Sequence, residues 1–150
     1  MKKKIIFQSS KDGDEYETFF SKCGDKGPTL CLIKSKNKKK FGGFSKAKWT
    51  DKKGKKQIKD ESAFIFSLDK LKKYDVLKPE IAIVCYPHDY LIMYGNNYDR
   101  YGLRIKSGFL ETGNYENFNN KSYDINEQYG LSGENEFFVE ELEVFLIIFE

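Results

Sequence analysis

The chain predicts a mainly β, α+β fold in which two antiparallel sheets pack as a β-sandwich with short flanking helices. Three observations carry this expectation. Runs of β-branched and aromatic residues recur at short intervals, bounded by Gly, Pro, Asp and Lys clusters. At most two stretches read as helix, so the strand-helix-strand rhythm of a parallel sheet is missing. Aromatic content is high, with 13 Phe and 10 Tyr in 150 residues, enough to fill a core without disulfides or a metal. A chain of this length is expected to form one domain over residues 1–150.

Taken in order, Ile5-Ile6-Phe7-Gln8-Ser9 reads as a strand closed by the polar turn Ser10-Lys11-Asp12-Gly13. A helix follows. Asp14 is its expected N-cap with Glu17 three residues on, and Tyr16, Phe19, Phe20 and Cys23 fall at i, i+3, i+4 and i+7 as one apolar stripe. Gly24 supplies the stop. Thr29–Lys34 and Phe41–Ser45 form a hairpin across a lysine-rich turn, with Gly42-Gly43 permitting a bulge or a close backbone approach. Residues 50–60 have almost nothing to bury and read as an exposed loop. Ala63–Leu68, Ile81–Cys85 and Tyr90–Met93 are three further strands. Residues 107–136 read as loops with room for one short strand or helical turn. From Phe137 to Phe149 the even positions Phe138, Leu142, Val144, Leu146 and Ile148 are apolar, Glu140 excepted. The other face changes from acidic to apolar, which predicts a strand half-exposed at its start and buried on both faces at its end.

Charge is polarised along the chain. Residues 1–75 carry 21 lysines against 10 carboxylates, and residues 76–150 carry 5 cations against 13 carboxylates, for a net charge of +3. Such asymmetry suits either a face for an anionic surface or lysine-rich loops that keep a domain in solution. The tracts Lys38-Lys39-Lys40 and Lys52-Lys53 with Lys55-Lys56 are the candidate anion contacts, but no aromatic residues interleave with them as stacking platforms. Nucleic acid is therefore the disfavoured partner. No apolar run approaches the about 20 residues of a membrane span, and the N-terminus lacks the apolar core of a secretory signal, so the expected location is cytoplasmic. Cys23, Cys31 and Cys85 are too few and too scattered for a disulfide framework or a zinc site and are expected as free thiols.

The chemistry-bearing residues are sparse. His88 is the sole histidine and sits in the turn-like Tyr86-Pro87-His88-Asp89, which excludes multi-histidine metal sites. Lys11-Asp12-Gly13-Asp14-Glu15 lacks the spacing of an EF-hand loop, and neither glycine-rich phosphate motif occurs. No catalytic, cofactor-binding or metal-binding residue is assigned, and no cofactor is expected. Cys23 is a candidate redox thiol because Lys26 lies close by, although a helix C-terminus is the wrong end of the dipole for a thiolate and the apolar stripe argues for burial. Trp49 is either a core anchor or an interface residue.

Several blocks in order resemble the TLDc domain, found in oxidation-resistance proteins. The opening half matches in Ser10-Lys11-Asp12-Gly13 and the following helix, Lys22–Leu30, Phe41-Gly42-Gly43-Phe44 and Trp49. Asp60–Leu68 resembles the next block, and Leu131-Ser132-Gly133-Glu134, Phe137 and Glu141–Phe145 resemble the closing one. Two features depart from the pattern: the glycine-rich segment is altered to Tyr94–Ile105, and the helical lead-in before the first strand is absent. The resemblance implies a non-catalytic regulatory module, monomeric, that takes part in oxidative-stress protection and binds subunits of the vacuolar-type proton pump. The contact residues named for such a partner are Lys38, Lys39, Lys40, Trp49, Lys52, Lys53, Lys55 and Lys56. The alternatives are a basic module for nucleic acid or acidic lipid, and a thiol-dependent peroxide scavenger.

Overall fold

The computed structural model describes residues 2–51, 54–95, 101–116, 122–125 and 130–149. The chain runs β1 (Lys2–Gln8), α1 (Ser9–Asp12), α2 (Tyr16–Cys23), β2 (Thr29–Ser35), β3 (Lys40–Ser45), β4 (Lys56–Ile58), β5 (Phe64–Ser67) and β6 (Lys72–Asp75). It continues through a 3-10 turn at Pro79–Ile81 to β7 (Ile83–Cys85), β8 (Tyr90–Gly95), β9 (Tyr101–Lys106), β10 (Asn114–Glu116), β11 (Glu136–Phe137) and β12 (Val139–Ile148). Two six-stranded sheets result, ordered β1-β12-β2-β3-β5-β6 and β11-β10-β9-β8-β7-β4, with antiparallel pairing throughout. The predicted β-sandwich is the observed fold.

Alternation builds the core. Along β2, Thr29, Cys31, Ile33 and Ser35 are buried while Leu30, Leu32 and Lys34 between them are half-exposed, so one face of the first sheet points inward. Ile83, Ile92, Tyr94, Leu103 and Ile105 of the second sheet join Cys31, Ile33 and Ile65 in one buried cluster. Helix α2 adds Tyr16, Phe19 and Cys23 to that cluster, with Phe19 edge-on to Phe7 of β1 at 5.5 Å. Gly43 explains how the sheets meet at the centre: a Cβ there would lie 2.4 Å from the Tyr94 ring, so only glycine admits the tyrosine at this depth. The hairpin register through Gly42 and Gly43 is unbroken, which makes this a close approach and not a bulge.

Buried polar residues fasten the loops. Asp60 accepts from the Ser45 and Ser62 hydroxyls and from the Lys46 and Ser62 N–H groups, and these bonds, working against burial, hold its carboxyl below the usual value. Glu116 accepts from the Leu131 N–H at 3.0 Å and from the Ser132 N–H and hydroxyl, tying residues 130–134 to β10. Here burial outweighs the hydrogen bonds and raises the carboxyl.

The structure corrects several local expectations. The turn at Ser10–Gly13 is a one-turn helix from Ser9, whose hydroxyl both accepts the Leu142 N–H and donates to Glu141. Asp14 does not cap α2: the N-cap position is Glu15, without a side-chain cap bond, and the Asp14 carboxylate instead accepts the Leu110 N–H. Within the expected loop 50–60, Lys56–Ile58 pairs with β7 as an edge strand, because backbone pairing there needs no side-chain burial. β6 and β9 carry no strand signal in the sequence, β6 because Lys-Lys-Tyr-Asp buries Tyr74 alone. β12 changes phase at a register slip between Val139 and Glu141, so Val139 is buried while Phe138 is 44% exposed. Its far end is not covered on both faces: Ile147 is buried, but Phe145 and Leu146 are half-exposed and Ile148 is exposed.

Candidate functional site

The residues singled out from the sequence do not come together. Lys38 and Lys39 sit in the β2–β3 turn and Lys40 opens β3, at one end of the first sheet, whereas Lys55 and Lys56 lie at the β4 edge of the second. Lys52 and Lys53 lie outside the described residues. The Lys38 ammonium is 2.9 Å from the Glu140 carboxylate, which Lys34 also approaches at 3.2 Å, and these two cations hold Glu140 below the usual glutamate value. Lys55 stands over the Tyr86 ring at 5.9 Å.

Topology also brings one carboxylate of the acidic half of the sequence to lysines of the basic half. The strand β12 inserts between β1 and β2; its acidic start comes beside Lys34 and the β2–β3 turn, while Lys2, Lys3 and Lys4 of β1 lie opposite its apolar end, Ile148, Ile147 and Leu146. Glu143 accepts from the Gln8 amide and Glu140 pairs with Lys34 and Lys38.

Trp49 is in the core. It is 2% exposed, its ring meets Tyr94 edge-on at 5.7 Å, and its indole N–H donates to the Thr29 hydroxyl at 3.3 Å. It offers no surface for a partner to touch. The three thiols are likewise buried. Burial drives Cys23 well above the ordinary thiol value despite the nearby Lys26, whose ammonium donates to the Lys22 carbonyl. Burial also raises Cys31 to about 12 and Cys85 to about 11, the latter even though its sulfur accepts the Thr50 N–H. A reactive thiol needs exposure and a depressed pKa, and none of the three has either. His88 is exposed beside Tyr16, with Nδ1 3.3 Å from Glu17. Among the described residues no group of three or more His, Cys, Asp or Glu is placed to hold a metal ion.

The feature the sequence reading missed is the outer face of the first sheet. Opposed residues in antiparallel strands share a face, so the pairs Phe145–Leu30, Leu30–Phe44 and Phe44–Phe64 carry one apolar row across four strands. Leu32, Phe66 and Ile147 lie beside it and widen it into two adjoining grooves of about 480 and 390 Å³, which share Leu30, Phe66 and Leu68. Leu68 and Leu71, in and beside the β5–β6 turn, are 45% and 87% exposed. The available signal was that β2, β5 and β12 are apolar on both faces while only one face of each can meet the second sheet.

The family model of the TLDc domain matches residues 1–148. The chain belongs to the TLDc family. The match takes in every described strand of both sheets, so the apolar outer face and the buried Trp49 lie within the matched residues. No curated protein matches the sequence closely enough to count as a relative. No helix among the described residues is long and apolar enough to cross a membrane.

Proposed function

We propose that this TLDc chain is a non-catalytic, cytoplasmic regulatory module that acts in oxidative-stress protection by docking on the vacuolar-type proton pump and altering its assembly or activity. The observation that carries the binding part is the outer face of the first sheet, where an apolar row crosses four strands and, with Phe44 buried within it, borders surface grooves over which no helix or strand among the described residues is packed. The partner is the one that the resemblance to the TLDc family implies, and membership of that family supports the reading. The burial of Cys23, Cys31 and Cys85 weighs against thiol peroxidase chemistry, and the dispersal of Lys38–Lys40 from Lys55 and Lys56 weighs against a single anion-binding stripe.

The mechanism is mass action. A domain that binds one assembly state of the pump more tightly than another shifts the equilibrium by that differential affinity, about 2.7 kcal/mol for a 100-fold preference. Titration of the purified chain onto purified pump, read by co-sedimentation and ATPase rate together, tests this. Stoichiometric co-sedimentation with a changed rate is expected; neither effect at a large molar excess refutes it.

A further inference from the structure

Glu116 closes β10 and is 2% exposed, opposite Leu103 on the inner face of the second sheet. Its carboxyl meets one short loop. Oε1 accepts the Leu131 N–H at 3.0 Å, while Oε2 accepts the Ser132 N–H and stands 2.6 Å from the Ser132 Oγ. That Oγ accepts the Glu134 N–H at 3.1 Å and stands 2.7 Å from the Glu134 carbonyl oxygen. Ser132 is 0% exposed, so solvent does not reach the hydroxyl. One hydroxyl proton is too few for these oxygens. A serine hydroxyl has one proton and two lone pairs, and the Glu134 N–H occupies one of the pairs. An ionised carboxylate and a backbone carbonyl are both acceptors only, so the hydroxyl could bridge either the 2.6 Å or the 2.7 Å contact and would leave the other as lone pair against lone pair. A proton on Oε2 removes the conflict. The acid then donates to the free lone pair of Oγ, the hydroxyl donates to the Glu134 carbonyl, and the Leu131 and Ser132 N–H groups keep their acceptors.

From this hydrogen-bond pattern we infer that Glu116 is a neutral carboxylic acid in the fold and that its proton latches residues 131–134 to β10, a latch that opens as pH rises. Burial favours the neutral form, and Lys70 of the β5–β6 turn opposes it more weakly. The remaining charged groups around the loop stand apart from the carboxyl. Glu134 is exposed, Glu136 of β11 is turned to the Tyr115 hydroxyl, and the exposed Lys39 passes beside Gly133. The Tyr74 hydroxyl lies by Gly130. Loss of the proton places a charge at a site closed to water and sets two oxygens against each other, so the loop must move to admit solvent. Asn37 of the β2–β3 turn donates to the Ser132 carbonyl at 2.8 Å, so that turn loosens with the loop. The sign follows from linkage. A proton held more tightly in the folded chain than in the unfolded one keeps the loop closed below the folded midpoint and is lost above it. The latch involves no partner and is independent of the adaptor reading.

The test is an NMR titration of the full chain, labelled with carbon and nitrogen isotopes, between about pH 3 and about pH 9. The Glu116 Cδ should titrate above the ordinary glutamate midpoint of about 4.3, and the Leu131, Ser132 and Glu134 amide signals should pass through a transition at the same midpoint. Protection of the Ser132 N–H against hydrogen exchange, corrected for the intrinsic rate at each pH, should fall above it. In Glu116→Gln the side-chain amide can donate to the Ser132 Oγ as the acid does, without a proton to lose. That variant should keep the loop protected and lose the amide transition. A Glu116 midpoint at or below about 4.3 overturns the inference. So does a raised midpoint that the three amides do not follow, or a transition at that midpoint that persists in Glu116→Gln. If the variant fails to fold, the wild-type Cδ and amide titrations decide by themselves.

Discussion

Replacing Gly43 by alanine tests how the two sheets are held together. The added Cβ would meet Cζ, Cε2 and Cε1 of Tyr94 at 2.4, 2.5 and 2.8 Å, about 1 Å inside ordinary contact. Tyr94 cannot step aside. It is fully buried, with Trp49 edge-on at 5.7 Å and Tyr123 edge-on at 6.3 Å, so the strain must be taken by the spacing between the sheets. Overpacking of this kind costs about 1–3 kcal/mol, and the rigidity of three interlocked rings places this site at the upper end. Alanine recovers up to about 1 kcal/mol by restricting the unfolded chain, since Gly43 is not in the left-handed region. The net expectation is a loss of about 2 kcal/mol, a fall in Tm of about 4–8 °C for a chain of this length. Urea and thermal unfolding followed by the fluorescence of Trp49 would measure it. In a Tyr94→Leu background the same substitution should become neutral or stabilising, because the obstructing ring is gone. A Gly43→Ala change within about 0.5 kcal/mol of wild type, or an equal loss in both backgrounds, would refute the reasoning.

Trp49→Ala should destabilise the fold by about 3–5 kcal/mol, the range for cutting a buried aromatic to a methyl; loss of partner binding at unchanged Tm would instead place this residue's role at an interface. The native chain should leave all three thiols unlabelled by a thiol reagent over minutes, and react fully only in denaturant, because each is buried with its pKa raised. Rapid labelling of any one thiol, or peroxide turnover lost in Cys23→Ser, would restore the redox reading. The raised carboxyl of Glu116 sets a pH dependence of known sign. The folded state holds this proton more tightly than the unfolded chain, so the contribution of Glu116 is most favourable below about pH 4.3 and is lost as pH rises to its folded value. Glu116→Gln should flatten that part of the stability profile in urea titrations at stepped pH. An unchanged slope would show that another group carries it.

The sequence by itself determined the elements whose signals are local. The stripe Tyr16, Phe19, Phe20 and Cys23 specifies α2 by its spacing, and the Thr29–Ser45 hairpin follows from two β-rich runs around a polar turn. The ordered blocks from Ser10 to Phe145 carried the family. Burial of Cys23 was likewise readable from its place on the stripe. What the sequence left open is what depends on which strand lies beside which. Lys56–Ile58 becomes a strand only because β7 offers it an edge, and a three-residue run with two exposed side chains carries no periodicity of its own. The local charge pairing is likewise decided by the strand order, because pairing across more than a hundred residues sets Glu140 beside Lys34 and Lys38. The groove was decided in the same way. Phe145, Leu30, Phe44 and Phe64 are ordinary strand residues in the sequence, but β12, β2, β3 and β5 lie side by side, and the opposite face of each already meets the second sheet. Alternation says that a strand has two faces; only the packing of the sheets decides which apolar face is left at the surface.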